Sequence, residues 1–336
     1  MSASSNFSIV HIHPTLNCNL RCLHCYSSSG PNQKIGLELD KILPYLKYLR
    51  EKHNFNVVSI SGGEPFLYKN LKELLCYTKE LGYNNQVVSN GMLLKSKRNR
   101  ETLNYIDSIA ISVDGNKELH NEIRASEFAY DKMLEGVQVL KDSNIPYGFI
   151  HTVTKKSWQQ IPDLIELVEN NGGNLLQLHP IENAGRSINE LHNEFLLSND
   201  DLQRIFILCA VVQETTPVKI QLDLLHKSYI ETRPEIIYGK IDNINTTRDL
   251  FKEIIITEKG DVLPISYGFS KDYLIHNINR NIGLEKSIEN FMMHKGDQLK
   301  ALLHNTYKNI LEDEEKTLFN WGELIVNESN QTLHTM

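Results

Sequence analysis

The chain has 336 residues, a formal net charge of −7 and 40% hydrophobic residues, enough to bury one large core, or a large domain with a small companion. Net acidity argues against a nucleic-acid partner, which needs phosphate-neutralising Lys and Arg on one face. The start, MSASSNF, lacks the basic and apolar regions of a secretory signal, and the longest apolar run, IFILCAVV at 205–212, is too short to span a bilayer; a cytoplasmic protein without membrane contact is expected.

Strand-like runs at 8–15, 57–61, 86–90, 108–114, 147–154 and 175–181 alternate with helix-like patterns at 39–52, 70–81, 98–106, 129–142, 158–170 and 200–215. The basic run KSKRNR at 95–100 reads as the solvated start of the third helix. Such alternation implies right-handed βαβ units and a parallel sheet. Six units suit an α/β fold of the partial (β/α)6 TIM-like kind better than a closed eight-stranded barrel. Past residue 216 the pattern loosens through the polar DNINTTRD. Then EIIITEKGDVLPISYGF reads as a hairpin turning at Glu258–Asp261, followed by a helical tail from about Ser287 to Glu315 and a frayed last dozen residues. The expected division is 1–216, a partial barrel, and 217–336, a small α+β extension.

Buried parallel strands usually read as continuous apolar runs, yet several here alternate. Val10 and Ile12 oppose His11, His13 and Thr15. Ile109, Ile111 and Val113 oppose Ser108, Ser112 and Asp114, and Leu176 and Leu178 oppose Gln177 and His179. With the apolar face against the helices, the polar face points inward, where a packed interior would leave those groups unsatisfied. An open, wet interior lined by His11, His13, Gln177 and His179 is expected, the alternative being a polar network satisfied by buried water.

Five cysteines in a reducing compartment are no disulfide framework. Cys76 and Cys209 lie in helix-like patterns and read as small buried hydrophobes. Cys18, Cys22 and Cys25 crowd into TLNCNLRCLHCYSSSG. A structural zinc site closes with four ligands, usually in two separated pairs, and four-thiolate clusters fill every iron corner. Three thiols on one loop leave one corner of a [4Fe–4S] cluster open to a small molecule; the alternative is a Cys₃His zinc knot using His24. Other motifs also fall at strand carboxyl ends, where parallel α/β folds bind ligands: Ser61-Gly62-Gly63-Glu64-Pro65, Ser89-Asn90-Gly91 and Ser112-Val113-Asp114-Gly115. Paired glycines let the backbone approach a ligand closely, and Glu64 can accept from an ammonium group.

C-x₃-C-x₂-C followed by an aromatic residue, then GGE, resembles the radical S-adenosylmethionine (SAM) superfamily over about residues 8–190. VVSNG at 87–91, ISVDG at 111–115, HNEIR at 120–124, HTVTKK at 151–156 and HPIENAGRS at 179–187 are most similar to the branch with SPASM or twitch extensions, whose members mostly modify peptides. The resemblance implies that Cys18, Cys22 and Cys25 hold one [4Fe–4S] cluster per chain. It implies that Gly62, Gly63 and Glu64 fix the SAM amino group, that Ser112 and Arg124 contact its ribose and carboxylate, and that the backbone near Tyr26 and the strand-6 segment around Leu178 flank the adenine. One electron would split the sulfonium to a 5′-deoxyadenosyl radical that takes hydrogen from a substrate. That substrate is expected to be a ribosomally made peptide undergoing crosslinking or epimerisation, or alternatively a small metabolite or cofactor precursor. An external flavodoxin- or ferredoxin-type electron donor follows. In that branch the hairpin carries cysteines for auxiliary clusters; here it reads Pro264-Ile265-Ser266 and no cysteine follows Cys209, so those clusters are expected to be lost. No leader-gripping domain is expected before strand 1, so that task is expected to fall to a partner or the hairpin. His13 and His179, on the polar face, are the candidates for moving a proton near neutral pH.

Overall fold

The computed structural model describes residues 8–191, 193–238, 251–280 and 283–331; MSASSNF and DNINTTRD lie outside them. In chain order run β1 (Ile9–Ile12), α1 (Leu39–His53), β2 (Val57–Ile60), α2 (Leu71–Glu80), β3 (Asn84–Ser89), α3 (Lys97–Thr102) and β4 (Ser108–Ser112). Then follow α4 (Lys117–Arg124), α5 (Ala129–Lys141), β5 (Tyr147–Val153), α6 (Ile161–Asn170), β6 (Leu175–Pro180), α7 (Ser187–Glu190), α8 (Asn199–Gln213) and β7 (Lys219–Leu222). Strands β1 to β7 pair in sequence order, each parallel to the next. This is the open α/β half-barrel expected from the alternation.

After β8 (Leu225–His226), α9 (Lys227–Thr232) and α10 (Glu235–Tyr238), the hairpin forms as β9 (Glu253–Ile256) and β10 (Asp261–Pro264). β9 pairs in parallel with β1, from Ile9↔Glu253 to Ile12↔Ile256, and β11 (His276–Asn277) pairs with β10. One ten-stranded sheet therefore runs β11-β10-β9-β1-β2-β3-β4-β5-β6-β7. The expected division at 216/217 falls just before β7, and the hairpin continues the same sheet on its opposite side. α11 (Leu284–His294) and α12 (Gly296–Glu312) form the helical tail. Of the end expected to be frayed, residues 332–336 lie outside the described residues, and 325–331 are corrected: they belong to α13 (Trp321–Gln331), a helix anchored by Ile325, which is fully buried.

Local chemistry sets these ends. α8 opens with a capping box, Ser198 and Asp201 each accepting the other's backbone N–H. α3 opens on Ser96, whose hydroxyl accepts from Asn99 N, and places KSKRNR at its solvated start as expected. α4 and β7 escaped the sequence reading. The buried face of α4 is Leu119, His120, Ile123 and Arg124, two of them polar, so no apolar period marks it.

The alternation places the core. Val10, Ile12, Val58, Ile60, Val87, Ile109, Ile111, Phe149, Val153, Leu176 and Leu178 are buried in one cluster with the helices. On the opposite face His11, Ser59, Gln86, Ala110, Ser112, Ile150, Thr152, Gln177 and His179 are only half-buried, as an unfilled lumen requires. Among the lone cysteines, Cys209 is buried, but Cys76 is corrected: it is half-exposed on α2, its thiol 3.5 Å from Glu80 Oε1.

α5 lies so close to the β3–α3 loop that a Cβ on Gly136 would strike the Gly91 carbonyl. Gly136→Ala should therefore cost about 1–3 kcal/mol in urea unfolding, the usual effect of overpacking, and an unchanged midpoint would contradict this close approach.

Candidate active site

The three cysteines follow β1 on a loop tied down by backbone bonds from Cys18 N to Gly30 O (3.1 Å) and from Gly30 N to Leu16 O (3.1 Å). Leu20 and Ala129 pack beneath them. Two sulfurs accept backbone hydrogen bonds, Cys18 from Leu20 N (3.4 Å) and Cys25 from Ser29 N (3.3 Å). Burial pushes the Cys18 thiol up to about 12 and the Cys22 thiol upward as well, so without metal both are protonated, and metal binding must displace those protons. His24 Nε2 lies 3.0 Å from Asp114 Oδ2. Among the described residues no three His, Cys, Asp or Glu side chains are grouped to hold a single ion.

The glycine pair abuts this loop. Gly62 has φ +98°, and a Cβ on Gly63 would strike the Asn17 carbonyl and come within 2.9 Å of Thr15 O. Gly63 N donates to Thr15 O (2.8 Å) and Glu64 N to Asn17 O (2.9 Å), welding GGE to the thiol loop. Glu64, expected to meet an ammonium group, is turned inward. It is buried, and its oxygens accept from Phe66 N (3.2 Å), Ser89 Oγ (2.9 Å) and Asn90 N (3.0 Å). Burial raises its pKa, and its structural work is to brace the β2 loop against the β3 loop. Gly63→Ala should weaken SAM binding at least tenfold, since the loop must shift for a Cβ whose neighbours are backbone atoms; unaltered affinity by calorimetry would refute the assignment.

Behind Cys22 lies a buried pair. Arg124 Nε donates to Asp114 Oδ2 (2.5 Å), and its Nη1 reaches 3.8 Å from Cys22 Sγ. Asp114 Oδ1 also accepts from Thr152 N (3.3 Å), and Asp114 N donates to His120 Nδ1 (3.1 Å). Burial disfavours the Asp114 anion, yet Arg124 and His24 hold its carboxyl well below the usual range. The sequence signal for Asp114 was the polar phase of SIAISVD, which puts it at the lumen mouth beside Ser112, at the end of β4.

The lumen histidines are engaged. His13 stacks on Tyr267 (centroids 4.6 Å) and meets Tyr26 edge-on (5.7 Å); burial, then His11, lowers it to about 3, so it is neutral. Tyr267 Oη donates to buried Glu258 (3.3 Å) at the expected hairpin turn, Tyr267 not having been singled out in the sequence. Tyr267 is delivered by a turn at Ile265, φ +68°, a strained conformation for a β-branched residue. His11 Nε2 lies 3.1 Å from Glu253 on β9. His179 sits between Asp223 (Nδ1, 3.1 Å) and Glu182 (Nε2, 3.0 Å), with Gln177 also donating to Asp223 (2.8 Å). Burial opposes the His179 cation, but its bonds to Asp223 and Glu182 hold it up at about 10. The expectation that His13 or His179 titrates near neutral pH is therefore corrected. The Leu178 side chain is fully buried in the core, and its carbonyl accepts from Asp223 N (2.9 Å).

A pH dependence follows. The His179 contribution to stability is fully present below its unfolded pKa of 6.5 and disappears as pH rises through about 10. The unfolding free-energy difference between the native chain and His179→Gln should shrink steadily across that window; a difference flat in pH would contradict the ion pairs.

Fold and site together define an α/β half-barrel with a three-thiol loop and a glycine loop at the carboxyl ends of adjacent strands. Residues 12–168, just under half of the chain, match the Radical SAM superfamily. It is 28% identical over 203 residues to Fe-coproporphyrin III synthase of Methanosarcina barkeri, covering 58% of this chain and 49% of that one. It is 27% identical over 172 residues to the sporulation killing factor maturation protein SkfB of Bacillus subtilis, covering 51% of this chain and 42% of that one. The chain thus spans about half the length of these curated relatives. In fold it is similar to the crystal structure of Streptococcus suis SuiB bound to S-adenosylmethionine, with a TM-score of 0.66, 18% identity, and coverage of 91% of this chain and 68% of that one.

The superfamily implies a [4Fe–4S] cluster and SAM, and the residues present fit both. Three free thiols share one loop, their sulfurs already accept N–H bonds, a guanidinium lies near Cys22, and the glycine loop leaves no room for a side chain on the flank facing them.

Proposed function

We propose that this chain is a radical SAM enzyme that reductively cleaves SAM and modifies a ribosomally made peptide. The carrying observation is the three-thiol loop welded to GGE at the open mouth of the lumen. Cys18, Cys22 and Cys25 would hold one [4Fe–4S] cluster. When bound, such a cluster would pass an electron from the external donor for reductive cleavage of SAM and, through it, hydrogen abstraction from the substrate.

The chain's own residues position and shield. Gly62 and Gly63 would present backbone to the methionine end of SAM, with Glu64 fixing their loop. Arg124, oriented by Asp114, would direct its free edge at the SAM carboxylate, as a planar fork suits, and Ser112 would reach the ribose. The backbone at Tyr26 and Leu178 would flank the adenine. His13 and His179 would shape the lumen, neutral and cationic respectively, instead of shuttling protons.

The SkfB resemblance supports a peptide substrate. A small metabolite is the second reading, supported by the resemblance to a coproporphyrin synthase. An external flavodoxin- or ferredoxin-type donor and a cytoplasmic setting complete the proposal; among the described residues no helix is long and apolar enough to cross a membrane. Anaerobic incubation with SAM, reductant and peptides encoded beside the gene should give a peptide mass shift. Modification of a porphyrin-type or other small molecule, with no peptide altered, would favour the second reading.

A further inference from the structure

The loop after β6 closes over the thiol loop through one residue. Arg186 is buried, its Nη1 donating to Cys22 O (2.6 Å) and its Nη2 to Ser29 O (2.5 Å), while its backbone N–H donates to Cys25 O (2.9 Å). The nearest carboxylate, Glu190, is 3.9 Å from its Nε and already holds Arg21 in a paired contact (2.9 and 2.6 Å). Gly185, at φ +60°, lets the two loops touch: a Cβ there would strike the Tyr26 and Cys25 carbonyls. Ser187 Oγ secures the turn by donating to Glu182 O and Ala184 O (2.8 Å each).

We propose that Arg186 is a positioning residue that sets the span from Cys22 to Ser29 before any metal is bound and, once a cluster is loaded, adds positive charge that raises its reduction potential. One planar guanidinium gripping two carbonyls seven residues apart fixes the chord of the loop that carries Cys25, which a flexible ammonium cannot do. Its charge is held in the protein interior, where the low dielectric strengthens it. The first half stands whether or not the chain is a radical SAM enzyme; the second rests on that reading.

The test compares Arg186→Met, Arg186→Lys and Gly185→Ala. In metal-free protein, alkylation of Cys22 and Cys25 should quicken about tenfold in Arg186→Met, the size expected from losing hydrogen bonds from a charged group, with Cys76 as the internal control. Arg186→Lys should fall between, and Gly185→Ala, which forces the loops apart while keeping the arginine, should quicken labelling as well. After anaerobic reconstitution, Arg186→Met should show a more negative cluster potential and Arg186→Lys one near the native value. Unchanged labelling in all three variants would overturn the positioning role. Equal potentials in the Met and Lys variants would overturn the electrostatic one. Failure to assemble any cluster in the native chain would instead strike the enzyme reading, leaving the labelling result to decide the first half.

Discussion

Alanine at Cys18, Cys22 or Cys25 should each abolish cluster iron and SAM cleavage, while Cys76→Ala and Cys209→Ala retain both. A cubane anchored by three thiolates on one loop loses a corner with each of them, and neither Cys76, half-exposed on α2, nor Cys209, buried in α8 within the core, lies on that loop. The fold should survive, because Cys18 and Cys25 are half-buried and Cys22 packs only in the small Leu20–Ala129 cluster. Native-like circular dichroism with no iron retained, and no 5′-deoxyadenosine by chromatography, is the expected pair of readouts. Full iron and cleavage in any of the three single variants would refute the ligand assignment.

Asp114→Ala should cost about 3–5 kcal/mol in denaturant unfolding, the size typical of stranding one member of a buried ion pair. Arg124 would keep its charge without its buried carboxylate partner, and Thr152 N would lose its acceptor. Against a total stability of about 5–15 kcal/mol for a typical protein, that is a large fraction. The sign with pH is definite: the Asp114 pKa is depressed, so its contribution persists above the unfolded value of 3.8 and is lost only as pH falls below it. The double variant Asp114→Ala/Arg124→Met should lose less than the sum of the two single changes, since it strands no charge. Additive losses would show that the pair is not coupled. The same geometry qualifies Arg124→Ala as a probe of SAM binding, because that change also takes the guanidinium from buried Asp114; SAM affinity is better compared in the double variant.

The half-barrel was legible because its strands carry the period-two signal on a parallel sheet, which buried strands normally lose. Val10, Ile12, Leu176 and Leu178 pack outward while His11, Gln177 and His179 face the lumen, as that phase requires. What the pattern could not show is who satisfies the lumen groups. Glu253 lies 242 residues from His11, and Asp223 lies 44 from His179; only the joining of β9 to β1 and β7 to β6 brings them together. Charge states were illegible for the same reason, since His13 and His179 depart in opposite directions according to neighbours supplied by distant elements. Arg186 and Asp114 stood inside quoted motifs, but their roles depend on burial, which a motif does not report.

The most direct test of the account is anaerobic reconstitution of the native chain, followed by iron and zinc analysis and incubation with SAM and a strong reductant. The account predicts about four irons per chain, because the three clustered cysteines fit one cubane, together with release of 5′-deoxyadenosine and methionine. A zinc-only protein, about eight irons per chain with cluster-like spectra, or one cubane that leaves SAM intact would contradict it.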